Sequence, residues 1–246
     1  MLTIEDLRNI DSESMYEVYD KWPDMAKNCY KNPLPKTDLK NMNHIVFAGM
    51  GGSGAIGDVF ASILSKMDIH VTVVKGYQLP KTVNENTLVV CTSISGNTDE
   101  TLTILQNSNK SNAKFIGLSS GGLMEKYCKK NSIDYYMIKK EHSPRASFIG
   151  FLYSTLNILE PIIPINKNEI EESIISLNHT KNEIDSNNLN ERNNSLKLAS
   201  WIKSIPIIYY PWGLHSAAIR FKNSMQENAK KHVLFEDIIE TCHNGI

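Results

Sequence analysis

The chain has 246 residues, of which 41% are hydrophobic and 22% are charged, a composition typical of a soluble globular protein. Its 26 Lys and Arg nearly balance its 27 Asp and Glu, so the net charge of −1 gives no electrostatic reason to expect nucleic acid or an anionic membrane as partner. The four cysteines are widely spaced and form no Cys-x-x-Cys pair, which argues against the usual zinc and redox motifs.

The N-terminal sequence MLTIEDLRNIDSES carries acidic residues where a secretory signal would carry a basic region followed by an apolar run. No apolar stretch reaches the roughly 18–20 residues that a membrane-spanning helix needs. We therefore expect a cytoplasmic protein with reduced thiols.

Residues 1–40 are rich in helix-forming and charged side chains, which predicts one or two helices packed against the domain that follows. From residue 41 the pattern changes to short apolar runs separated by longer segments with helical spacing. This alternation predicts an α/β domain over residues 41–165, with a parallel sheet and helices on both faces. Ligands of such sheets bind at the carboxyl ends of the strands. The predicted strands are His44–Ala48, Val71–Lys75, Thr87–Cys91, Lys114–Leu118 and Asp134–Ile138.

The later part of the chain predicts a second, shorter α/β unit. A long apolar helix is predicted from Pro144 to Leu159, followed by a helical and polar linker over residues 166–200, where asparagines lie among charged residues. Residues 201–246 then predict a strand, a helix and a strand, at Ile205–Tyr210, Ser216–Ala229 and His232–Phe235. No terminal helix is expected after them. Because such a unit cannot cover both faces of a parallel sheet, we expect it to be truncated or completed by another chain.

A glycine-rich loop, Gly49–Gly54 with the sequence GMGGSG, directly follows the first predicted strand and opens a helix. In that position backbone N–H groups can approach a phosphate, and the spacing also matches the dinucleotide fingerprint G-x-G-x-x-G. A dinucleotide site would place Asp or Glu at the end of the second strand, and Val71–Tyr77 contains neither. A tight turn that only packs helix against strand is a further alternative. The pattern favours a small phosphate.

A second polar loop, Thr92–Thr101, follows the apolar strand Thr87–Cys91 at another carboxyl end. Its hydroxyls at Ser93, Ser95 and Thr98, together with backbone amides, suit a compact phosphomonoester. The alternative is that these side chains only cap the next helix. No Walker lysine follows either loop, which argues against a nucleoside triphosphatase.

Five segments, in this order, resemble one known family: GMGGSG, YQLP at Tyr77–Pro80, SISGNTDET at 93–101, SPRAS at Ser143–Ser147 and RFKNSMQENAK at Arg220–Lys230. Over nearly its whole length the chain is similar to the sugar isomerase (SIS) domain family, and specifically to the archaeal-type bifunctional phosphoglucose/phosphomannose isomerases. The resemblance implies a flavodoxin-like SIS fold followed by a second, incomplete SIS-like subdomain. It also implies a phosphosugar substrate, whose phosphate would be bound by Gly51, Gly52, Ser53, Ser93, Ser95 and Thr98.

The resemblance further implies three catalytic residues. Arg145 would lie near C1 and C2 of the sugar and stabilise negative charge on an enediolate. Glu227, in the context ENAK, would move a proton between these carbons as the base. His243 would assist ring opening, for which histidine is suited near neutral pH, and in this family it reaches the site from the neighbouring subunit of a homodimer. Without the resemblance, Arg145 would be interpreted as a helix-start cap or ion pair, and the other two as exposed surface groups.

The implied scheme requires no metal and no cofactor, and the remaining histidines show no ligand spacing. The family continues further than this chain, with a terminal helix that contributes a catalytic lysine. Its run around the histidine is close to EMNHNE, where this chain has ETCHNG at Glu240–Gly245. We therefore expect the chain to bind the phosphate and to isomerise phosphosugars poorly or not at all.

Three functions of different classes compete. The first is an isomerase that interconverts glucose 6-phosphate, and also mannose 6-phosphate, with fructose 6-phosphate. The second is a non-catalytic sugar-phosphate binding module of the SIS type; regulators of that kind carry a basic helix-turn-helix, and Met1–Asp20 contains too few basic residues for one. The third, a dinucleotide-dependent oxidoreductase, lacks the acidic ribose ligand. The sequence favours the isomerase.

Overall fold

The computed structural model describes residues 2–245 and opens with helices α1 (Ile4–Ile10), α2 (Met15–Asp20) and α3 (Trp22–Lys31). A capping box begins α1, in which the side chains of Thr3 and Asp6 each accept the other residue's backbone N–H. Pro23 lies in the first turn of α3, where its missing N–H breaks no helical hydrogen bond. The N-terminal segment is thus three helices rather than the one or two predicted.

Five parallel strands form the main sheet: β1 (His44–Ala48), β2 (His70–Val74), β3 (Thr87–Thr92), β4 (Lys114–Ser119) and β5 (Asp134–Met137). They pair in the order β2-β1-β3-β4-β5. The order reverses between β1 and β3, and ligands of open α/β sheets bind at the carboxyl ends beside such a reversal. The five predicted strands are confirmed, and each boundary lies within one residue of its predicted position.

Helices cover both faces of this sheet, as predicted: α4 (Gly51–Leu64), α5 (Asp99–Gln106), α6 (Gly122–Lys130) and α7 (Phe148–Leu159). Alternate residues of a strand point to opposite faces, so each central strand feeds two cores. Within β1, Phe47 stacks on Phe60 of α4, whereas Val46 belongs with Leu105 to the core on the other face. Since each buried large apolar side chain contributes about 1.5–3 kcal/mol, the two cores together fix the strand register.

The apolar helix predicted from Pro144 begins only at Phe148. Residues 144–147 form a turn instead, and the buried hydroxyl of Ser147 explains why. Its oxygen lies 2.9 Å from the carbonyl oxygens of Glu141 and Ser143 and accepts the N–H of Glu141 at the same distance. These bonds hold the segment outside the helix. Arg145 therefore lies on an ordered turn at the end of the sheet.

Residues 166–200, predicted as a helical and polar linker, contain the helices α8 (Lys167–Ile184) and α9 (Asn194–Trp201). Asn166 begins α8 with a capping box that it shares with Glu169. This helix packs on α3 and inserts Ile170, which is 2% exposed, into the first core. The beginning of the predicted linker therefore extends the first domain.

A second, two-stranded parallel sheet follows, with α10 packed on α4 of the first domain. Its elements are β6 (Ile207–Tyr210), α10 (His215–Ser224), a π-helical turn at Met225–Ala229, and β7 (Leu234–Asp237). The predicted strand-helix-strand order is confirmed, although the last strand lies two residues later than predicted. Among residues 2–245, no helix combines the length and the apolar character that crossing a membrane requires.

The chain continues after β7 into a short helix, α11 (Ile238–Asn244), so the expectation of no terminal helix was wrong. Asp237 supplies the physical reason, because its carboxylate accepts the backbone N–H of Ile239 and Glu240 and so caps the helix. This short-range signal overlaps the end of the strand, where the apolar pattern alone does not reveal it.

Candidate functional site

A cavity of about 130 Å³ opens at the carboxyl ends of β1 and β3, where the strand order reverses. Four segments that are distant in sequence meet there. They are the glycine loop (Gly49–Gly54), the polar loop Thr92–Thr101 after β3, called the serine-rich loop below, the turn before α7 (residues 144–147), and the π-helical turn after α10 (Met225–Ala229). The lining residues are Met50, Gly52, Ser53, Ile94, Ser95, Thr98, Pro144, Arg145 and Glu227.

The glycine loop supplies one wall of the cavity through Gly52 and Ser53. α4 starts at Gly51, whose φ of +53° lies in the left-handed region that favours glycine. A Cβ on Gly49 would lie 2.9 Å from the carbonyl oxygen of Thr92, so glycine lets the two loops approach closely. The Ser53 N–H already donates to the Met50 carbonyl at 3.0 Å, so the N–H of Gly52 and the helix dipole are what make this wall suited to phosphate.

The serine-rich loop supplies the facing wall through Ser95 and Thr98. Ser93 is placed differently: it is 1% exposed, its hydroxyl lies 2.8 Å from that of Thr98, and it accepts the N–H of Gly96. Ser93 therefore lies under the loop and holds its shape, whereas Ser95 and Thr98 present hydroxyls to the cavity. Gly51, another of the predicted phosphate ligands, is exposed beside the cavity.

Arg145 enters the cavity from the turn before α7, which is held from two sides. The Nε of Arg145 donates to the sulfur of Met15 at 3.3 Å, and the indole N–H of Trp22 donates to the carbonyl of Ala146 at 2.9 Å. Arg220 donates from Nη2 to the carbonyl of Arg145 at 2.8 Å. The N-terminal helices and α10 together fix the position of this cationic turn.

Glu227 enters from the π-helical turn that continues α10. Such turns interrupt an α-helix and frequently occur at functional sites, because they redirect side chains. Lys230 ends the turn in the left-handed conformation, with φ of +54°, and its ammonium donates to the Glu227 carbonyl at 2.8 Å. The turn places a carboxylate in the same cavity as the Arg145 guanidinium.

His243 does not reach this cavity within one chain. It lies in the last turn of α11 with an exposed side chain, and the cavity lining does not include it. Sequence reasoning gave no role to Arg220, although it begins the segment RFKNSMQENAK, and it missed the apolar lining by Met50, Ile94 and Pro144. The position of Ile94 between Ser93 and Ser95 was the one sequence feature that could have indicated this apolar lining.

The chemistry of the lining is that of an anion site joined to an acid–base group. Hydroxyls, helix N–H groups and a guanidinium stabilise negative charge, and Glu227 supplies a carboxylate beside them. Within the described residues, no three His, Cys, Asp or Glu side chains lie close enough together to hold a metal ion.

Comparison with protein families finds two matching domain models. The SIS domain matches residues 38–160, and the model described as bacterial phospho-glucose isomerase C-terminal SIS domain matches residues 191–246. The first match contains the sheet with the glycine loop and the serine-rich loop, and the second contains Glu227 and His243.

Curated relatives and solved structures agree with these matches. The chain is 31% identical over 245 residues to the bifunctional phosphoglucose/phosphomannose isomerase of Caldicellulosiruptor bescii, covering 94% of this chain and 71% of that protein. It is 32% identical over 244 residues to the protein of the same name from Aquifex aeolicus, covering 95% and 67%. The fold resembles glucosamine-6-phosphate deaminase from Thermotoga maritima, with a TM-score of 0.69 and 15% identity over 94% of this chain and 72% of that one. The chain belongs to the bifunctional phosphoglucose/phosphomannose isomerase family of SIS-domain proteins.

Proposed function

We propose that the protein is an aldose–ketose isomerase that interconverts glucose 6-phosphate and mannose 6-phosphate with fructose 6-phosphate. The observation that carries the proposal is one cavity in which an anion-binding wall, Arg145 and Glu227 face each other. The activity for which the curated relatives are named supports the same reaction. A purely binding module would need the anion wall and would have no use for the carboxylate opposite it.

In this proposal the substrate phosphate lies against the glycine loop and the hydroxyls of Ser95 and Thr98. Gly52 and Ser53 offer the helix N-terminus, and Ser93 acts from below by holding Thr98 in place. Binding the phosphate fixes the sugar and lets binding energy from this remote group assist reaction at C1 and C2.

Glu227 then acts on the open-chain sugar. Its carboxylate takes the proton from C2, the electrons of the broken C–H bond form the C1–C2 double bond, and the carbonyl electrons move onto O1. Arg145 stabilises the negative charge of this enediolate. The proton on the O2 hydroxyl passes to O1, Glu227 returns its proton to C1, and the ketone forms at C2.

Ring opening precedes this step and needs a further acid–base group, for which we assign His243. Because this histidine is exposed and outside the cavity of its own chain, the assignment requires a second copy that brings α11 to the site. The reaction belongs to cytoplasmic sugar metabolism, at the entry of glucose and mannose into glycolysis and in gluconeogenesis.

A homodimer is the expected assembly. Apolar side chains of the small sheet are exposed in the single chain, among them Ile207, Tyr209 and Leu234, which are each about half exposed. Clustered apolar surface of this kind marks an association surface. Light scattering at micromolar concentration should give twice the mass of the chain, and a monodisperse monomer would contradict the assignment of His243.

A coupled assay for conversion of fructose 6-phosphate tests the function directly. We expect slow turnover with fructose 6-phosphate and mannose 6-phosphate, and a rise in melting temperature with glucose 6-phosphate that NAD does not produce. Phosphosugar stabilisation without turnover would favour the non-catalytic binding module, and an equal shift with NAD would overturn the phosphosugar assignment.

A further inference from the structure

Arg220 lies on α10 directly behind the candidate site, with its charge held among aromatic rings. Its guanidinium carbon is 4.8 Å from the centre of the Phe148 ring and 6.0 Å from that of Trp22. Burial lowers the pKa of Arg220, while the nearby Tyr19 and Glu227 act in the opposite direction. Stacking of this kind stabilises a cation while restricting its orientation.

The guanidinium touches the backbone of one site segment and approaches a second. Nη2 donates to the carbonyl of Arg145 at 2.8 Å. Nη1 points toward the glycine loop, where a Cβ on Gly52 would lie 4.0 Å from it. Glu227 follows on the same helical segment, about two turns later. One side chain therefore lies at the junction of the segments that carry the anion wall, the cation and the base.

Two of the donors of Arg220 are unpaired. Nε and Nη1 are buried and find no hydrogen-bond partner within residues 2–245, and no carboxylate in that range forms an ion pair with this guanidinium. A guanidinium whose donors are buried and which forms no salt bridge among the described residues loses hydration that only the nearby charge of Glu227 and the Tyr19 hydroxyl offset, so its presence calls for an explanation. An apolar side chain between the two rings would stabilise the fold as well as the arginine does.

We propose that Arg220 is a positioning residue that holds Arg145 where negative charge develops during isomerisation. The bond to the Arg145 carbonyl fixes the turn from α10, beside the bond that the Trp22 indole N–H donates to the carbonyl of Ala146. The aromatic rings keep the guanidinium from turning away. The identity of the reaction rests on the proposed function, whereas the effect on Arg145 is open to a separate test.

Binding of two anions to the chain separates this role from a structural one. Inorganic phosphate probes the phosphate wall alone, and 5-phospho-D-arabinonate adds a carboxylate that copies the charge of the enediolate. Calorimetry would compare the protein with Arg220→Met and Arg220→Lys. The control is Lys222→Met, which removes another cation of α10, one that lies 5.7 Å from the centre of the Phe235 ring in β7.

Arg220→Met should weaken binding of the aldonate by about 10-fold or more and that of phosphate by less than about threefold. Arg220→Lys keeps the charge and one donor, so its loss should be intermediate, and Lys222→Met should change neither affinity. An equal loss of affinity for both anions would mean that Arg220 acts on the glycine loop rather than on Arg145, and it would overturn the proposal. An unchanged affinity for the aldonate would overturn it as well. If Arg220→Met fails to fold, Arg220→Lys alone decides between these outcomes.

Kinetics give the second readout. In the isomerase assay, Arg220→Met should lower kcat by about 10-fold or more and leave KM within about threefold, because Arg145 acts mainly on the charge of the enediolate. A rise in KM with unchanged kcat would contradict this. If the unaltered chain turns over no phosphosugar, the proposed function fails, and the ratio of the two anion affinities still decides the role of Arg220.

Discussion

Gly96 controls the shape of the serine-rich loop. Its φ is +71°, and a Cβ at this position would overlap the carbonyl oxygen of Gly121 in the neighbouring loop. The turn at Gly96 keeps Ser93 under the loop and lets Ser95 and Thr98 line the cavity. The spacing of hydroxyls in the sequence shows that a polar loop is present, but it does not show which hydroxyl turns inward, because this backbone conformation decides it.

Replacement of Gly96 by Ala should therefore affect both stability and ligand binding. Strain of this kind costs about 1–3 kcal/mol, and displacement of the loop should weaken inorganic phosphate binding. Urea denaturation and calorimetry would measure the two effects. Gly76→Ala is the control, since its Cβ would meet nothing within 4 Å. Equal behaviour of the two variants would show that the loop does not depend on Gly96.

Among the secondary-structure elements, the strands followed from the sequence and the ends of the helices did not. Buried parallel strands are continuous apolar runs bounded by polar residues, so their limits are visible. The late start of α7 and the presence of α11 depend on the side-chain hydrogen bonds of one residue each, Ser147 and Asp237, which the apolar pattern does not show. The turn before α7 matters most, because it carries Arg145.

Ser147→Ala should destabilise the protein by about 1–3 kcal/mol, because the part-buried N–H of Glu141 and the turn around it would lose the hydroxyl they share. It should also weaken binding of 5-phospho-D-arabinonate, the enediolate-like anion, more than binding of phosphate, because the turn that carries Arg145 would loosen. Ser200→Ala removes an exposed hydroxyl that donates to a carbonyl at 2.8 Å and should cost far less. A loss in Ser147→Ala no greater than in this control would contradict the role of the turn.

For the whole molecule, the amino ends of the central strands make stability depend on pH. His44 begins β1, is 4% exposed, and contacts Thr72 at 3.0 Å and Thr87 at 3.3 Å in the adjacent strands. Burial lowers the pKa of His44, and the charge of His70 on β2 lowers it further. The folded protein therefore resists protonation of a group that the unfolded chain protonates below about pH 6.5.

The free energy of unfolding should accordingly fall as the pH drops below about 6.5, because the unfolded state binds more protons there. Urea denaturation between pH 8 and 5.5 would measure this slope, at roughly half-unit steps. His44→Asn lowers stability at every pH but should flatten the dependence. A slope equal in both proteins would show that His44 does not cause it.

The three-dimensional site joins residues whose proximity no local pattern reveals. The family resemblance pointed to Arg145 and Glu227 as catalytic residues. The structure places both beside Ser53 in one cavity, and their roles are those proposed above. Arg220 begins the segment RFKNSMQENAK but received no role, because a half-buried arginine on a helix looks like any surface arginine in the sequence. Only packing against Trp22 and Phe148 distinguishes it.

The most direct measurement of the central claim is isomerase turnover in deuterated water for the protein and for Glu227→Gln. The substitution keeps size and hydrogen bonding but removes the base, so turnover should fall by about 10²–10⁴-fold while phosphosugar binding persists. Glu172→Gln, at an exposed position on α8, is the matched control and should remain fully active. Turnover by the unaltered protein should carry deuterium into the product. Near-normal turnover in Glu227→Gln, or a product without deuterium, would contradict the assignment of Glu227 as the base that exchanges its proton with solvent.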